Sequence, residues 1–129
     1  MTEPSRRTTL ARVRFLGSAK DGTAHWWMQR LTAVALVPLV LWFVVSMVML
    51  TGASHGAFVG WLARPVPAIL MLLLVVATFH HAQLGLQVVI EDYVAQPALR
   101  LVLLVLAKFA AVVLGVAAAF AVIKIALGA

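Results

Sequence analysis

Residues 31–51 read LTAVALVPLVLWFVVSMVMLT, a run without a charged side chain. About 20 apolar residues in a helix rising about 1.5 Å each cross the roughly 30 Å of bilayer hydrocarbon, so this run predicts a transmembrane helix. Working outward, no charge falls between Arg30 and Arg64, nor between Arg64 and Glu91. The second gap predicts a span over residues 66–90. Pro97 then interrupts the helix, and residues 98–126 carry a third span. The expected fold is an all-α integral membrane protein: one three-helix domain without internal repeats, preceded by a basic leader at residues 1–30.

The composition agrees. Of 129 residues, 64% are hydrophobic and 11% charged, with a mean hydropathy of +1.08. A soluble domain is about half apolar and a quarter charged, and cannot hide such an excess in one small core. The absence of cysteine excludes disulfides, iron–sulfur ligation and thiolate catalysis within the chain. No phosphate-binding glycine loop, HExxH or GxSxG motif occurs. The formal charge of +6 does not describe a nucleic-acid groove, because Arg6, Arg7, Arg12, Arg14, Lys20 and Arg30 all precede the first span.

These basic residues also set the expected orientation. With Arg100 they fall on one side of the membrane, against Arg64 and Lys124 on the other, which places the N-terminus inside and the C-terminus outside. The first span is too long, and its leader too extended, for a cleaved signal peptide. Trp26 and Trp27 fit the inner interface and Trp61 the outer one. The outer segment 52–65 reads as a Gly-, Ser- and Pro-containing loop with no catalytic constellation.

Chemistry concentrates in the second span, which contains Phe79-His80-His81-Ala82-Gln83-Leu84-Gly85 and ends Glu91-Asp92-Tyr93. Histidines within an apolar helix need partners and are functional candidates by default. If Asp92 marks the interface, His81 lies about 16 Å deeper, close to the midplane. Eleven steps of about 100° bring His81 and Asp92 onto one face. Gly85, one turn on, clears that face for a flat macrocycle, and imidazole is the usual axial ligand of an electron-transfer haem. A hydrogen bond to a neighbouring helix, with Gly85 serving close packing, is the alternative. His25 and His55 lie at other depths and His80 points about 100° away, so a second ligand would come from another polypeptide.

Glu91 and Asp92 oppose the helix dipole at a C-terminal end, a local rule broken where function is expected. Tyr93 can donate a hydrogen bond to a quinone carbonyl, or be an ordinary interfacial aromatic. Arg30 can bind a haem propionate or act as a positive-inside anchor. Lys108 can reach a propionate but better suits snorkelling to the headgroups. Pro38 is expected to bend the first helix. Ala111, Gly115 and Ala119 form a small-residue stripe, for packing within the chain or against another subunit.

Taken together, Arg30-Leu31-Thr32-Ala33 opening the first helix, His81 followed eleven residues later by Asp92-Tyr93, and three spans in about 130 residues make the chain resemble the hydrophobic membrane-anchor (D) subunit of α-proteobacterial succinate dehydrogenase, respiratory complex II. The resemblance covers Trp26 to the C-terminus. It implies an inner-membrane subunit that pairs with a cytochrome-b subunit and holds a flavoprotein and an iron–sulfur subunit at the cytoplasmic face, its C-terminus periplasmic. It implies a haem b between the two membrane subunits, with His81 at the anchor's axial-ligand position. By the same resemblance Tyr93 matches the tyrosine that hydrogen-bonds ubiquinone, Asp92 its acidic neighbour, and Arg30 the arginine near the haem propionates and quinone pocket. The competing readings are a cofactor-free three-span anchor recruiting a peripheral enzyme, and a small pore, which the lack of an inverted repeat disfavours.

Overall fold

The structure, a computed structural model, describes residues 20–128. It is helical: α1 (Lys20–Met49), α2 (His55–Leu62), α3 (Pro65–Tyr93) and α4 (Pro97–Ala126). Arg6, Arg7, Arg12 and Arg14 of the expected leader lie outside the described residues. Three helical segments are long and apolar enough to cross a membrane: Gly22–Met49, Pro65–Tyr93 and Pro97–Ala126, of 28, 29 and 30 residues. At about 1.5 Å per residue each reaches about 42–45 Å, the thickness of hydrocarbon and headgroups together. The expected spans 66–90 and 98–126 nearly coincide with α3 and α4, whereas 31–51 is the C-terminal part of α1 and runs two residues past its end. Charge marks where lipid ends; caps and prolines mark where a helix ends.

Each terminus has a local cause. After Met49 the chain turns through Gly52, whose φ of +82° is left-handed and suits glycine. Ser54 then caps α2, its hydroxyl accepting from the Ala57 amide at 3.2 Å. Pro65 and Pro97 occupy first-turn positions of α3 and α4, where a missing N–H leaves nothing unsatisfied. Arg100 Nε donates to the Val94 carbonyl at 2.9 Å, closing the short α3–α4 link. α1 stays helical through Pro38.

Two expectations need correction. The first helix does not start at residue 31; Lys20–Arg30 is already helical and carries Trp26 and Trp27. The segment 52–65 is not an open loop, because α2 occupies its middle. The loop-like composition hid a short apolar pattern in which Phe58, Trp61 and Leu62 recur at helical spacing. Leu62 is the most buried side chain described, 3% exposed. Trp61 stacks on Trp42 of α1, with ring centroids 5.8 Å apart at 20°, so it is a packing residue as well as an aromatic at that end.

α3 is central: α1 and α4 each pack along it, α2 lies against α3 and α4, and the backbones of α1 and α4 do not approach one another. The buried cluster of Leu62, Met71 and Val122 joins α2, α3 and α4 at the end where α1 finishes, with Trp42 and Phe43 packed on it. Only Leu62, Ala68, Met71, Leu84 and Val122 are buried among the described residues, while most large apolar side chains face outward. Such a surface needs lipid or other helices around it.

The small-residue stripe of α4 packs within the chain at its centre: a Cβ built on Gly115 would stand 3.4 Å from Phe79 Cβ and Cγ. Gly115→Leu should push α3 and α4 apart, costing about 1–3 kcal/mol, read as a lower melting temperature of the purified membrane complex. Gly60→Ala in α2, where an added Cβ meets nothing within 4 Å, should leave that temperature unchanged or slightly raised.

Candidate functional site

Adjacent positions on a helix point about 100° apart, so His80 and His81 of α3 address different neighbours. His81 faces α1. Its Nδ1 lies 3.0 Å from Thr32 Oγ1, and the same hydroxyl lies 2.8 Å from the Met28 carbonyl and 3.1 Å from that of Gln29. A hydroxyl has one hydrogen, and the two carbonyls can only accept. With the hydroxyl hydrogen on a carbonyl the imidazole donates, Nδ1–H to Oγ1; in the other tautomer the hydroxyl donates to Nδ1. The first arrangement leaves the Nε2 lone pair free.

His81 is half-buried and lines a cleft of about 340 Å³ with Trp26, Gln29, Arg30 and Ala33. The Arg30 guanidinium stands over the Trp26 ring, 5.2 Å from its centroid, a cation–π contact that leaves its N–H groups open to an acid. It is exposed, and no carboxylate pairs with it among the described residues. At Gly85 an added Cβ would meet nothing within 4 Å, so this glycine does not serve close packing inside the chain. An imidazole and a cation thus share the cleft between α1 and α3, with an open helix face at Gly85 one turn from His81. Among the described residues no three His, Asp or Glu side chains group as a metal site.

Asp92 and Tyr93 are not brought to this cleft. They lie at the end of α3, about 16–18 Å further along its axis, both exposed, Tyr93 by 82%. Neither has a hydrogen-bond partner among the described residues. His55 opens α2 at the other end of α3.

The α4 side of α3 carries a polar line that sequence reasoning passed over. Gln83 Nε2 donates to Gln87 Oε1 at 3.4 Å and Gln87 Nε2 to Glu91 Oε1 at 3.0 Å. The spacing i, i+4, i+8 was the available signal. It explains Glu91 at a helix C-terminus: the carboxylate accepts a hydrogen bond there. Gln83, Gln87 and Lys108 line a cleft of about 250 Å³, giving the lysine polar surroundings along the snorkelling route expected of it. His80 belongs to an adjoining groove of about 370 Å³ with Phe79, Lys108 and Gly115. The Nε2 atoms of His80 and of His25 are buried without a hydrogen-bond partner among the described residues. Thr32, quoted in the sequence only as part of a motif, is the neighbour that matters most to His81.

Comparison with known proteins adds independent support. Residues 4–123 match the family described as succinate dehydrogenase/fumarate reductase transmembrane subunit. The succinate dehydrogenase hydrophobic membrane anchor subunit of Rickettsia bellii is 36% identical over 102 residues, 79% of this chain and 82% of its own length. That of Rickettsia conorii is 30% identical over 108 residues, 83% and 86% of the two chains. That of Paracoccus denitrificans is 35% identical over 78 residues, 60% of each. With three apolar helices and a match across nearly its whole length, the chain belongs to the succinate dehydrogenase/fumarate reductase transmembrane subunit family, among its hydrophobic membrane anchors.

Proposed function

We propose that this membrane-anchor subunit shares a haem b with a cytochrome-b subunit, forms part of a ubiquinone-reduction site, and docks a flavoprotein and an iron–sulfur subunit on the cytoplasmic side of a bacterial inner membrane. The observation that carries the reading is the state of His81: Nδ1 engaged by Thr32, Nε2 uncommitted, on a cleft that also holds Arg30. These residues fit the group. His81 would bind its iron through Nε2, Arg30 would pair with a propionate or line the quinone pocket, and Gly85 would leave room beside the helix. When bound, the haem supplies a one-electron redox centre inside the membrane.

The chain's own part is to hold and orient. Tyr93 would donate its phenolic hydrogen to a quinone carbonyl, and Asp92 beside it would set the local field. Their exposure at the end of α3 suits a site completed by other subunits, at the level where an iron–sulfur protein could approach. The chain lacks flavin, nucleotide and iron–sulfur motifs, so succinate oxidation belongs to its partners. The basic excess before the first span supports a cytoplasmic N-terminus and a periplasmic C-terminus.

In the assembled complex, His81→Ala should abolish the low-spin b-type spectrum while His80→Ala retains it; an unchanged spectrum in His81→Ala would remove the ligand role and leave a cofactor-free anchor. Tyr93→Phe should lower kcat/KM for quinone roughly 2- to 10-fold, the worth of one hydrogen bond of about 0.5–1.5 kcal/mol, and spare succinate oxidation by an artificial acceptor. Equal loss of both activities would count against a quinone contact. The chain has no cysteine, so single substitutions report topology cleanly. Ser54→Cys should react with an impermeant maleimide in intact cells, and Ala95→Cys only after the membrane is opened.

A further inference from the structure

The Thr32 hydroxyl is the one side-chain group of α1 hydrogen-bonded to His81 among the described residues. We propose that Thr32 is the positioning residue for His81, selecting the tautomer that exposes Nε2 and fixing the plane of the ring. This rests on His81 being an axial haem ligand.

The geometry is over-determined in a useful way. Thr32 is β-branched and sits in a helix, so its side chain has few rotamers, and the one present points Oγ1 at the carbonyls of the preceding turn, 2.8 and 3.1 Å away. In the proposed arrangement the hydroxyl hydrogen stays along α1, and the oxygen accepts from a protonated Nδ1 at 3.0 Å. Neutral imidazole carries one N–H, so placing it at Nδ1 makes Nε2 the free base. Donating to carbonyls also makes the hydroxyl oxygen a better acceptor. A stronger Nδ1–H bond raises the basicity of the ligating nitrogen and favours the oxidised metal.

Thr32 also differs from a simple bridge between helices in what its loss would do. A bond that merely joined α1 to α3 would change how much complex assembles. A positioning bond changes the properties of each haem that is present.

The test compares Thr32→Val, which keeps the side-chain shape and removes the oxygen, with Thr32→Ser, which restores it, and with His81→Ala, all in the complete complex in its membrane. Haem content per complex, the electron paramagnetic resonance signal of the ferric haem and its midpoint potential are measured. Expected for Thr32→Val are roughly 10- to 100-fold weaker haem retention, an altered low-spin signal and a more positive potential, with Thr32→Ser returning all three toward the parent. If the valine variant assembles poorly, Thr32→Ala is read in the same way on the assembled fraction. A parent-like signal and potential in haem-bearing Thr32→Val or Thr32→Ala would overturn the positioning role while His81→Ala still loses its haem. If His81→Ala itself keeps the parent spectrum, the ligand reading falls and this inference with it, an outcome distinct from the first.

Discussion

An imidazole inside hydrocarbon has two nitrogens to satisfy and no water to help, and α1 answers for only one of them. That imbalance at His81 organises much of what surrounds it. The Thr32 hydroxyl meets Nδ1 at 3.0 Å, and the ring lines a cleft whose other polar members include Gln29 and Arg30, which offer N–H groups. Unsatisfied groups of this kind are tolerated in a membrane where something else completes them. The site is half of an arrangement, as expected of a subunit that works with others.

The packing carries the same message on a larger scale. With α3 central and α1 and α4 on separate flanks, the three long helices do not close on one another, and few side chains are buried. The tight contacts collect at one end, where α2 inserts Leu62 and Trp61. The half of α1 and α3 that bears Thr32, Arg30, His81 and Gly85 is left comparatively open. Lipid tails can satisfy apolar flanks, but they cannot satisfy a basic nitrogen. Stability is concentrated away from the chemistry, and the open half is where a partner helix has room.

The sequence disclosed the spans well because long uncharged runs have one physical meaning in a polypeptide, and it disclosed His81 because a histidine there is conspicuous. It disclosed boundaries poorly. Lys20–Arg30 contains charges that signal the end of lipid, yet nothing in it breaks a helix, and α2 was masked by neighbours that favour turns. Tertiary partners were the least legible. That Thr32 and His81 meet across 49 positions depends on the relative rotation of α1 and α3, which no local pattern encodes. The role of Gly115 against Phe79 was readable only as one of two options for the same small-residue stripe. Asp92 and Tyr93 share a helix with His81 but not its cleft, because eleven or twelve residues along a helix are about 16–18 Å of axial distance.

The paired histidines show how one helix can serve two environments. A step of about 100° sends His81 to the α1 cleft and His80 to the α4 groove, and from there the two faces diverge. The His81 face continues to Gly85, where the surface opens. The other face continues through Gln83, Gln87 and Glu91, a hydrogen-bonded line that meets Lys108 and runs to the same end of the helix. A long cationic side chain emerging from the middle of α4 is costly in lipid unless polar groups accompany it outward, and that line supplies them. The charge carried on the α4 side therefore has polar groups beside it, whereas Arg30 on the α1 side lies over the Trp26 indole and pairs with no anion among the described residues. The asymmetry supports the proposal that the α1–α3 cleft, rather than the α3–α4 groove, receives an acidic group from outside the chain.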